Sequence, residues 1–242
     1  MDDRRRLASC LTGSGIELGP GHLPFECPDG LVVKYVDRWP TADQRKLFPE
    51  LGDDAEFPEV DVYADLDVDG LSAFGDGSQD FVICSHVLEH LANPLRLLHE
   101  IHRVLRREGI AIVLLPDRRR TFDRERASTS LEHLIAEHAA GVQTVDDQHL
   151  FDFITLADPT EAFTRMPSQC SRGDFYAWHR ERSIHVHCWT EDEFDSVLAY
   201  CRRAMRQRWS VIDRLTLRED GFEFGYALQK RGGLHWPRRY DG

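Results

Sequence analysis

The sequence predicts an α/β protein with three layers, built on a doubly wound, mostly parallel sheet that ends in an antiparallel hairpin and carries a cap insertion. Three observations lead to this prediction. Apolar strand segments alternate with helical ones through the first half of the chain, and a helix with a capping box begins near residue 190. Two alternating strands joined by Asp220-Gly221 come last, as expected for a hairpin.

Five apolar segments in the first half are predicted strands. They cover residues 15–18, 31–37, 60–65, 80–85 and 110–115. The fourth segment is a continuous apolar run, which is typical of a parallel strand buried on both faces. Helices between such strands imply right-handed βαβ units and a parallel sheet.

The helix between the fourth and fifth strands is well marked. Asn93 suits the N-cap, and Pro94 suits the first helical position because its missing N–H costs nothing there. Apolar residues then recur at helical spacing, and Gly109 is expected at the C′ position. A later helix is predicted from the capping box at residues 190–193 to about residue 207, and the hairpin strands are predicted over 210–217 and 222–228.

The segment from residue 117 to about residue 189 is irregular and longer than an ordinary connection. Such an insertion at the carboxyl end of a parallel sheet covers a ligand site in many proteins. We therefore expect a ligand-binding half over residues 1–118, a cap over 119–189, and a closing helix and hairpin over 190–242. The short lead before the first strand leaves open whether an N-terminal helix is lost or supplied by a partner.

Composition excludes several classes of protein. Of the 242 residues, 41% are hydrophobic, which argues against disorder. The sequence has neither a signal-peptide core nor an apolar run near the roughly 18–20 residues that span a bilayer, so we expect a cytoplasmic protein without a membrane partner. A net charge of −12 disfavours a duplex nucleic-acid partner. Six scattered cysteines without a CxxC pair predict free thiols.

A short glycine motif follows the first strand. The sequence ELGPG over residues 17–21 allows the backbone to approach a ligand, and Asp37 ends the second strand, where a carboxylate can accept both hydroxyls of a ribose. The full dinucleotide fingerprint fails because Pro24 occupies the place of its third glycine. A plain turn with an acid at a strand end is the alternative interpretation.

Two further motifs complete the pattern. Asp65 ends the third strand, where it can accept an adenine amino group, and the sequence SHVLEH over residues 85–90 follows the fourth. In this order the motifs resemble the class I S-adenosylmethionine-dependent methyltransferases, particularly the small-molecule, type 11-like branch with an HVLEH segment. The resemblance covers residues 13–118 and, by topology, the hairpin, although Leu23 stands where a third glycine is common in the family.

The resemblance implies a seven-stranded Rossmann-like sheet and S-adenosyl-L-methionine as the methyl donor, with S-adenosyl-L-homocysteine as product. It also implies a set of donor-binding residues, which are Glu17, Gly19, Pro20, Gly21, Asp37, Arg38, Asp65, Leu66, Ser85 and His86. A small-molecule acceptor is expected beneath the cap.

The arginine-rich segment after the fifth strand is a candidate for acceptor binding. Five arginines within residues 118–126 can bind a carboxylate or phosphate, and the alternative is a solvated surface whose charges pair with one another. Asp117 and Arg118, nearest the strand end, and His179 are the predicted substrate-binding residues.

Half of the twelve histidines fall between residues 133 and 187. His185 and His187 are expected to share one face of a strand, and together with His149 they are the candidate catalytic residues, one of which would deprotonate an acceptor hydroxyl. Histidines without a chemical role, or a metal site that includes His149 or His179, are the alternatives, and we assign no metal ligand. Six aromatic residues form either an acceptor pocket or the core of the cap, and these are Phe151, Phe153, Phe175, Tyr176, Trp178 and Trp189.

The expected function is methyl transfer to a small molecule, with oxygen of a sugar or secondary metabolite as the favoured acceptor and a small amine as the alternative. A non-catalytic, donor-binding partner subunit is a second possibility. A nicotinamide-dependent oxidoreductase is disfavoured by the missing third glycine and by the terminal hairpin. A homodimer is compatible with the sequence, which does not encode the identity of the acceptor.

Overall fold

A computed structural model describes residues 3–48, 51–52, 54–160 and 164–232. One sheet contains β1 (Ser14–Leu18), β2 (Val32–Asp37), β3 (Val62–Tyr63), β4 (Gln79–Ser85), β5 (Leu105–Pro116), β6 (Trp209–Leu215) and β7 (Glu223–Lys230). The α-helices are α1 (Asp3–Ala8), α2 (Thr41–Leu47), α3 (Pro94–Val104), α4 (Leu131–Ala140), α5 (Asp147–Leu156), α6 (Arg172–Arg182) and α7 (Glu191–Arg203). Short 3₁₀ helices cover Leu88–His90 and Arg118–Arg120.

The strand order is β3-β2-β1-β4-β5-β7-β6. The first five strands pair in parallel, whereas β7 runs antiparallel to both β5 and β6. The predicted three-layer, doubly wound sheet with a terminal hairpin is therefore confirmed. Because the order reverses between β1 and β4, the carboxyl ends of these two strands form a switch point where such sheets bind ligands.

The helix α3 begins as predicted, because the Asn93 side chain accepts the Arg96 N–H at 3.0 Å. It ends earlier than predicted. The chain enters β5 directly at Leu105, so the expectation that Gly109 is a helix C′ residue is wrong. Glycine is required there for a different reason, since a Cβ at that position would lie 3.0 Å from the carbonyl oxygens of Arg106 and Asp80.

The other predicted elements agree with the structure to within a few residues. The third strand is shorter than expected, and α7 ends at Arg203 rather than near residue 207. The capping box is present, with the Glu193 carboxylate accepting the Thr190 N–H at 2.7 Å. All six cysteines are free thiols, as predicted.

The cap leaves and rejoins the sheet at one place. Asp117 and Trp189 form an isolated parallel bridge, in which the Arg118 N–H donates to the Trp189 carbonyl at 3.0 Å. Between them, α5 and α6 enclose a small apolar core around Phe153 and Phe175, whereas α4 packs against the core of the main sheet. Among the described residues, no helix is long and apolar enough to cross a membrane.

The aromatic residues of the cap largely form its core. Phe153, Phe175 and Tyr176 are buried there, whereas Trp189 joins the core of the main sheet. Phe151 and Trp178 are 44% and 38% exposed, so these two side chains belong to neither core. None of the six aromatic side chains lines either of the two cavities described below.

Candidate active site

A cavity of about 330 Å³ opens at the carboxyl ends of β1, β2 and β3. Gly19 and Gly21 line it with φ values of 56° and 55°, in the left-handed region that favours glycine. A Cβ on Gly19 would lie 3.2 Å from Val87 Cγ2, so a side chain there would press on the wall of the cavity. Of the predicted donor-binding residues, those that line this cavity are Gly19, Gly21, Asp37, Arg38, Asp65, Leu66 and His86.

Asp37 presents its carboxylate to this first cavity at the end of β2. The carboxylate accepts the Trp39 backbone N–H at 3.1 Å, and no side chain of the described residues donates to it. Burial raises its pKa above the ordinary value, despite the opposing backbone hydrogen bonds. A poorly solvated carboxylate without side-chain donors can accept two ribose hydroxyls.

The acids after β3 lie on the opposite wall. Asp65 Oδ1 accepts the Asp67 N–H at 3.0 Å, and Asp67 Oδ1 accepts the Ala92 N–H at 3.0 Å. Burial raises the pKa of Asp67 to about 6. Arg38 lies between the two walls, 3.9 Å from Asp65 Oδ2, and donates to the carbonyl of Glu181 in the cap at 2.5 Å. The end of α6 thus closes over the first cavity.

Three predicted donor residues, Glu17, Pro20 and Ser85, are not among those that line the first cavity. Glu17 is buried below the glycine turn, where it accepts the Phe25 N–H at 2.8 Å and where burial raises its pKa to about 7. It therefore fixes the loop that carries Gly19 and Gly21 rather than contacting a ligand in this cavity.

A second cavity of about 590 Å³ lies between the end of β5, the cap and the loop before β7. Its wall is rich in arginine, since Arg119, Arg120 and Arg124 all contribute. Arg119 forms a bidentate pair with Asp117, at 2.8 and 2.6 Å, and Arg124 pairs with Asp158. Arg120 is exposed and has no ion-pair partner among the described residues.

The predicted substrate-binding residues lie elsewhere. Asp117 is fully buried and accepts the Arg119 N–H at 3.0 Å, so its carboxylate organises the 3₁₀ turn. Arg118 donates to Ser128 Oγ at 2.6 Å and to the Arg126 carbonyl at 2.8 Å, which fixes the following loop. Neither residue lines the second cavity. His179 projects from α6 and lines the first cavity instead.

His86 lines both cavities and marks their junction. Its Nε2 lies 2.7 Å from Glu223 Oε2, and its Nδ1 lies 3.5 Å from Glu89 Oε1. Although burial alone would lower it, the two carboxylates raise the pKa of His86 to about 9. His86 is therefore an imidazolium at neutral pH. Arg4 also binds Glu223, at 2.8 Å from Nε to Oε1.

His185 reaches the second cavity beside this junction. Its Nδ1 lies 2.6 Å from Oδ2 of Asp123, and Arg126 donates to the other oxygen at 2.6 Å. Burial opposes ionisation of Asp123, but the hydrogen bonds and charges of His185 and Arg126 hold its pKa below the ordinary value. Asp123 accordingly favours the His185 tautomer that carries hydrogen on Nδ1 and a lone pair on Nε2.

His90 completes the junction from the first cavity. Its ring meets that of His185 edge-on at 4.9 Å, and its Nδ1 lies 2.8 Å from the Ile184 carbonyl oxygen. Burial lowers the pKa of His90 to about 4, so it is neutral. Glu89, His90 and His185 are close enough to hold a metal ion, because their ligand atoms lie within 4.8 Å of one another. The charge of Glu89 is, however, already balanced by the imidazolium of His86.

His149 and His187 line neither cavity. They meet His133 and Glu137 within the cap, where the ligand atoms of all four residues lie within 4.8 Å of one another. The segment with His185 and His187 is extended but forms no strand, and the two side chains enter different clusters. Of the three predicted catalytic histidines, the structure places His185 alone at a cavity.

Part of the chain matches a model of a known protein family. Residues 19–113 match the family model described as a methyltransferase domain. This match covers the glycine turn, the acids after β2 and β3, and the HVLEH segment, all of which lie on a sheet with the predicted order. Over these residues, which are less than half of the chain, the protein is similar to methyltransferase domains.

Comparison with solved structures gives matches at low sequence identity. A protein from Rhodobacter sphaeroides, provisionally assigned as a Zn-dependent alcohol dehydrogenase, matches with a TM-score of 0.55 and 11% identity over 96% of this chain and 91% of its own. An S-adenosylmethionine-dependent methyltransferase from Methanosarcina mazei matches with a TM-score of 0.44 and 15% identity, over 91% of this chain and 93% of its own. Another from Thermotoga maritima, described as a possible histamine N-methyltransferase, matches with a TM-score of 0.47 and 14% identity, over 94% of this chain and 88% of its own. The first likeness shows the fold alone. No curated protein matches this chain.

The first cavity has features that suit the S-adenosylmethionine donor expected from the sequence. It combines a glycine turn, the carboxylate of Asp37 without side-chain donors, and apolar wall residues such as Val36 and Leu66. These features suit the methionine end, the ribose hydroxyls and the adenine ring, respectively. His86 and His90 also line this cavity, and His86 lines the second cavity as well.

Sequence reasoning missed several residues of the site. Asp123, Glu223 and Phe222 belong to segments that are distant in sequence from the HVLEH motif, and no spacing rule connects them. His90 stands inside that motif, but its neighbour His185 comes from the cap.

Proposed function

We propose that this protein transfers a methyl group to a hydroxyl oxygen of a small molecule in the second cavity, with His185 as general base. The observation that carries this proposal is the junction of the two cavities at His86, beside an imidazole held by the buried carboxylate of Asp123. A donor bound in the first cavity supplies an electrophilic methyl group. The chain's own task is to align the acceptor, exclude water and receive a proton.

The proton has a defined destination. As the acceptor oxygen forms its new bond to the methyl carbon, the carbon–sulfur bond breaks and its electron pair stays on sulfur. The hydroxyl proton passes to Nε2 of His185, and the resulting imidazolium is stabilised by Asp123 at 2.6 Å. Arg126, which binds the other oxygen of Asp123, keeps this carboxylate ionised and oriented.

The cationic wall of the second cavity indicates the kind of acceptor. Arg120 is exposed there without an ion-pair partner among the described residues, whereas Arg119 and Arg124 are anchored by carboxylates. A free guanidinium binds a carboxylate or phosphate with two parallel hydrogen bonds. Phe122 and Phe222 add apolar surface to the same wall. These features favour a hydroxylated molecule that also bears an anionic group.

Binding and turnover test the proposal in sequence. Calorimetric titration with S-adenosylmethionine, S-adenosylhomocysteine and NAD should give binding of the first two without the third. Hydroxylated carboxylates and phosphate esters are then screened for methylated product by mass spectrometry. His185→Asn should abolish most turnover while donor affinity is retained, and His99→Asn on an exposed position of α3 is the matched control.

Three results would overturn parts of this proposal. Absence of donor binding would leave a non-catalytic scaffold. Methylation of amines alone, with full activity in His185→Asn, would exclude the base and favour the N-methyltransferase alternative. A divalent-metal requirement, with loss of one metal equivalent in His185→Asn, would replace the base by metal-assisted deprotonation.

A further inference from the structure

A second cluster of histidines lies inside the cap, away from both cavities. The helix α4 contributes His133 and Glu137, which are one turn apart on the same face, and α5 contributes His149 from its first turn. His187 follows α6 in the extended return segment and is fully buried. Three separate stretches of the cap thus converge on one point.

The distances within this cluster match those around a tetrahedral ion. The Nε2 atoms of His133 and His149 are 3.1 Å apart, and they lie 3.1 and 3.3 Å from Oε1 of Glu137. Nε2 of His187 lies 3.5 Å from Oε2 of the same carboxylate. Ligands at about 2.0–2.1 Å from a tetrahedral Zn²⁺ are separated by about 3.3 Å. The observed separations are centred on that value.

Hydrogen bonds among the four residues do not satisfy the cluster. Both ring nitrogens of His187 and Oε2 of Glu137 are buried, and none of the three atoms has a hydrogen-bond partner in the described part of the chain. Buried polar atoms without partners are costly and require an explanation.

Asp146 binds the second ring nitrogen of His149, as a carboxylate commonly does for a histidine that coordinates zinc through its other nitrogen. Its Oδ1 lies 2.8 Å from Nδ1 of His149, which places the imidazole hydrogen there and turns the Nε2 lone pair toward the cluster. The same oxygen accepts the His149 backbone N–H at 2.9 Å, so Asp146 also caps α5.

We infer that His133, Glu137, His149 and His187 bind one Zn²⁺ ion, which fixes the cap by joining α4 and α5 to the return segment. Three imidazoles and one carboxylate fill a tetrahedral shell, which is the arrangement of a closed, structural zinc site. The ion would also stabilise the chain next to His185, because the His187 N–H donates to the Glu89 carbonyl at 3.0 Å and its ring stacks on Trp189.

This inference does not depend on the proposed acceptor or on the base. Its direct test is the zinc content of the full chain, purified without a histidine tag and dialysed to remove loosely held metal. Plasma mass spectrometry should give one zinc per chain. His133→Ala and Glu137→Gln should lose this zinc, whereas His99→Ala, at an exposed position on α3, and His185→Asn, in the separate group near the cavities, should retain it.

Three further measurements keep the test independent of misfolding. Because His133 is 45% exposed, its truncation leaves little buried space, and circular dichroism should show a folded variant. Asp146→Asn keeps a side-chain acceptor at the N-cap of α5 but weakens the support of His149, so zinc affinity should fall by about 10–100-fold in competition with a chromogenic chelator. Cobalt(II) in place of zinc should show the intense visible bands of tetrahedral coordination.

The inference fails if the wild-type chain, purified or refolded in the presence of zinc, holds no stoichiometric metal. It fails equally if His133→Ala and Glu137→Gln hold as much zinc as the wild type. Loss of zinc in His185→Asn with retention in His133→Ala would assign the ion to the group near the cavities instead, and that result also overturns the cap site.

Discussion

Replacement of His86 by asparagine tests the charge at the junction of the two cavities. The pKa of His86 is about 9 in the folded protein, against 6.5 for an unperturbed histidine, because Glu223 and Glu89 outweigh the effect of burial. Each pKa unit corresponds to about 1.4 kcal/mol, so proton binding at His86 stabilises the fold by about 3 kcal/mol. Asparagine suits the left-handed backbone at this position, where φ is 55°.

The sign of the pH dependence follows from the direction of this shift. A raised pKa gives a stabilisation that is complete below pH 6.5 and is lost as the pH rises through about 9. Glu223, whose pKa is lowered to about 2, stays ionised throughout this range. The difference in unfolding free energy between wild type and His86→Asn should therefore shrink by about 3 kcal/mol between pH 6 and pH 10.

Urea unfolding at several pH values, followed by circular dichroism, measures this difference. His99→Asn on the exposed face of α3 provides the control, and its curve should run parallel to that of the wild type. A difference for His86→Asn that is constant, or that grows with pH, would refute the assignment of an imidazolium at the junction. A direct NMR titration of the His86 ring would give the same answer independently.

Further predictions concern the donor, the base and the sheet. Asp37→Ala should weaken S-adenosylmethionine binding by about 1–3 kcal/mol in calorimetry, whereas Asp43→Ala on the surface of α2 should not, and equal affinities would exclude the ribose contact. Asp123→Asn should lower kcat by about tenfold or more with donor affinity preserved, so an unchanged kcat would remove its role beside the base. Gly15→Ala should destabilise the fold by about 1–3 kcal/mol in urea unfolding, because its Cβ would lie 2.2 Å from a β4 carbonyl oxygen. Gly173→Ala on α6 should be tolerated, because its Cβ would come no closer than 3.8 Å to a neighbouring atom, Ser171 Oγ.

Local patterns predicted the donor half of the molecule well. The apolar run of β4, the N-cap at Asn93 and the capping box at Thr190 depend on residues within a few positions of one another. The predicted donor motifs could also be recognised from the sequence, because each follows a strand, and parallel strands bring their carboxyl ends to one edge of the sheet. Asp37 and Asp65 therefore line the cavity as expected.

The structural roles of single residues were less predictable where a local sequence pattern fits two different structures. Gly109 follows a helical pattern and resembles a C′ residue, but it lies in β5, where a Cβ would come within 3.0 Å of a carbonyl oxygen of β4. Glu17 stands in the glycine motif, yet its side chain points below the turn and binds the Phe25 N–H. In both cases the deciding contact comes from outside the motif.

The sequence by itself determined the class of sheet and the edge that carries the strand-end motifs, because strand periodicity and strand-end motifs are local properties. The tertiary structure decided the roles of the cap residues. His185 and His187 are only two residues apart in the sequence. His185 contacts Asp123 and lines the second cavity, whereas His187 lies beside Glu137 and His149. Long-range packing of α4, α5 and α6 creates this difference, and no spacing along the chain encodes which distant carboxylate each imidazole will meet.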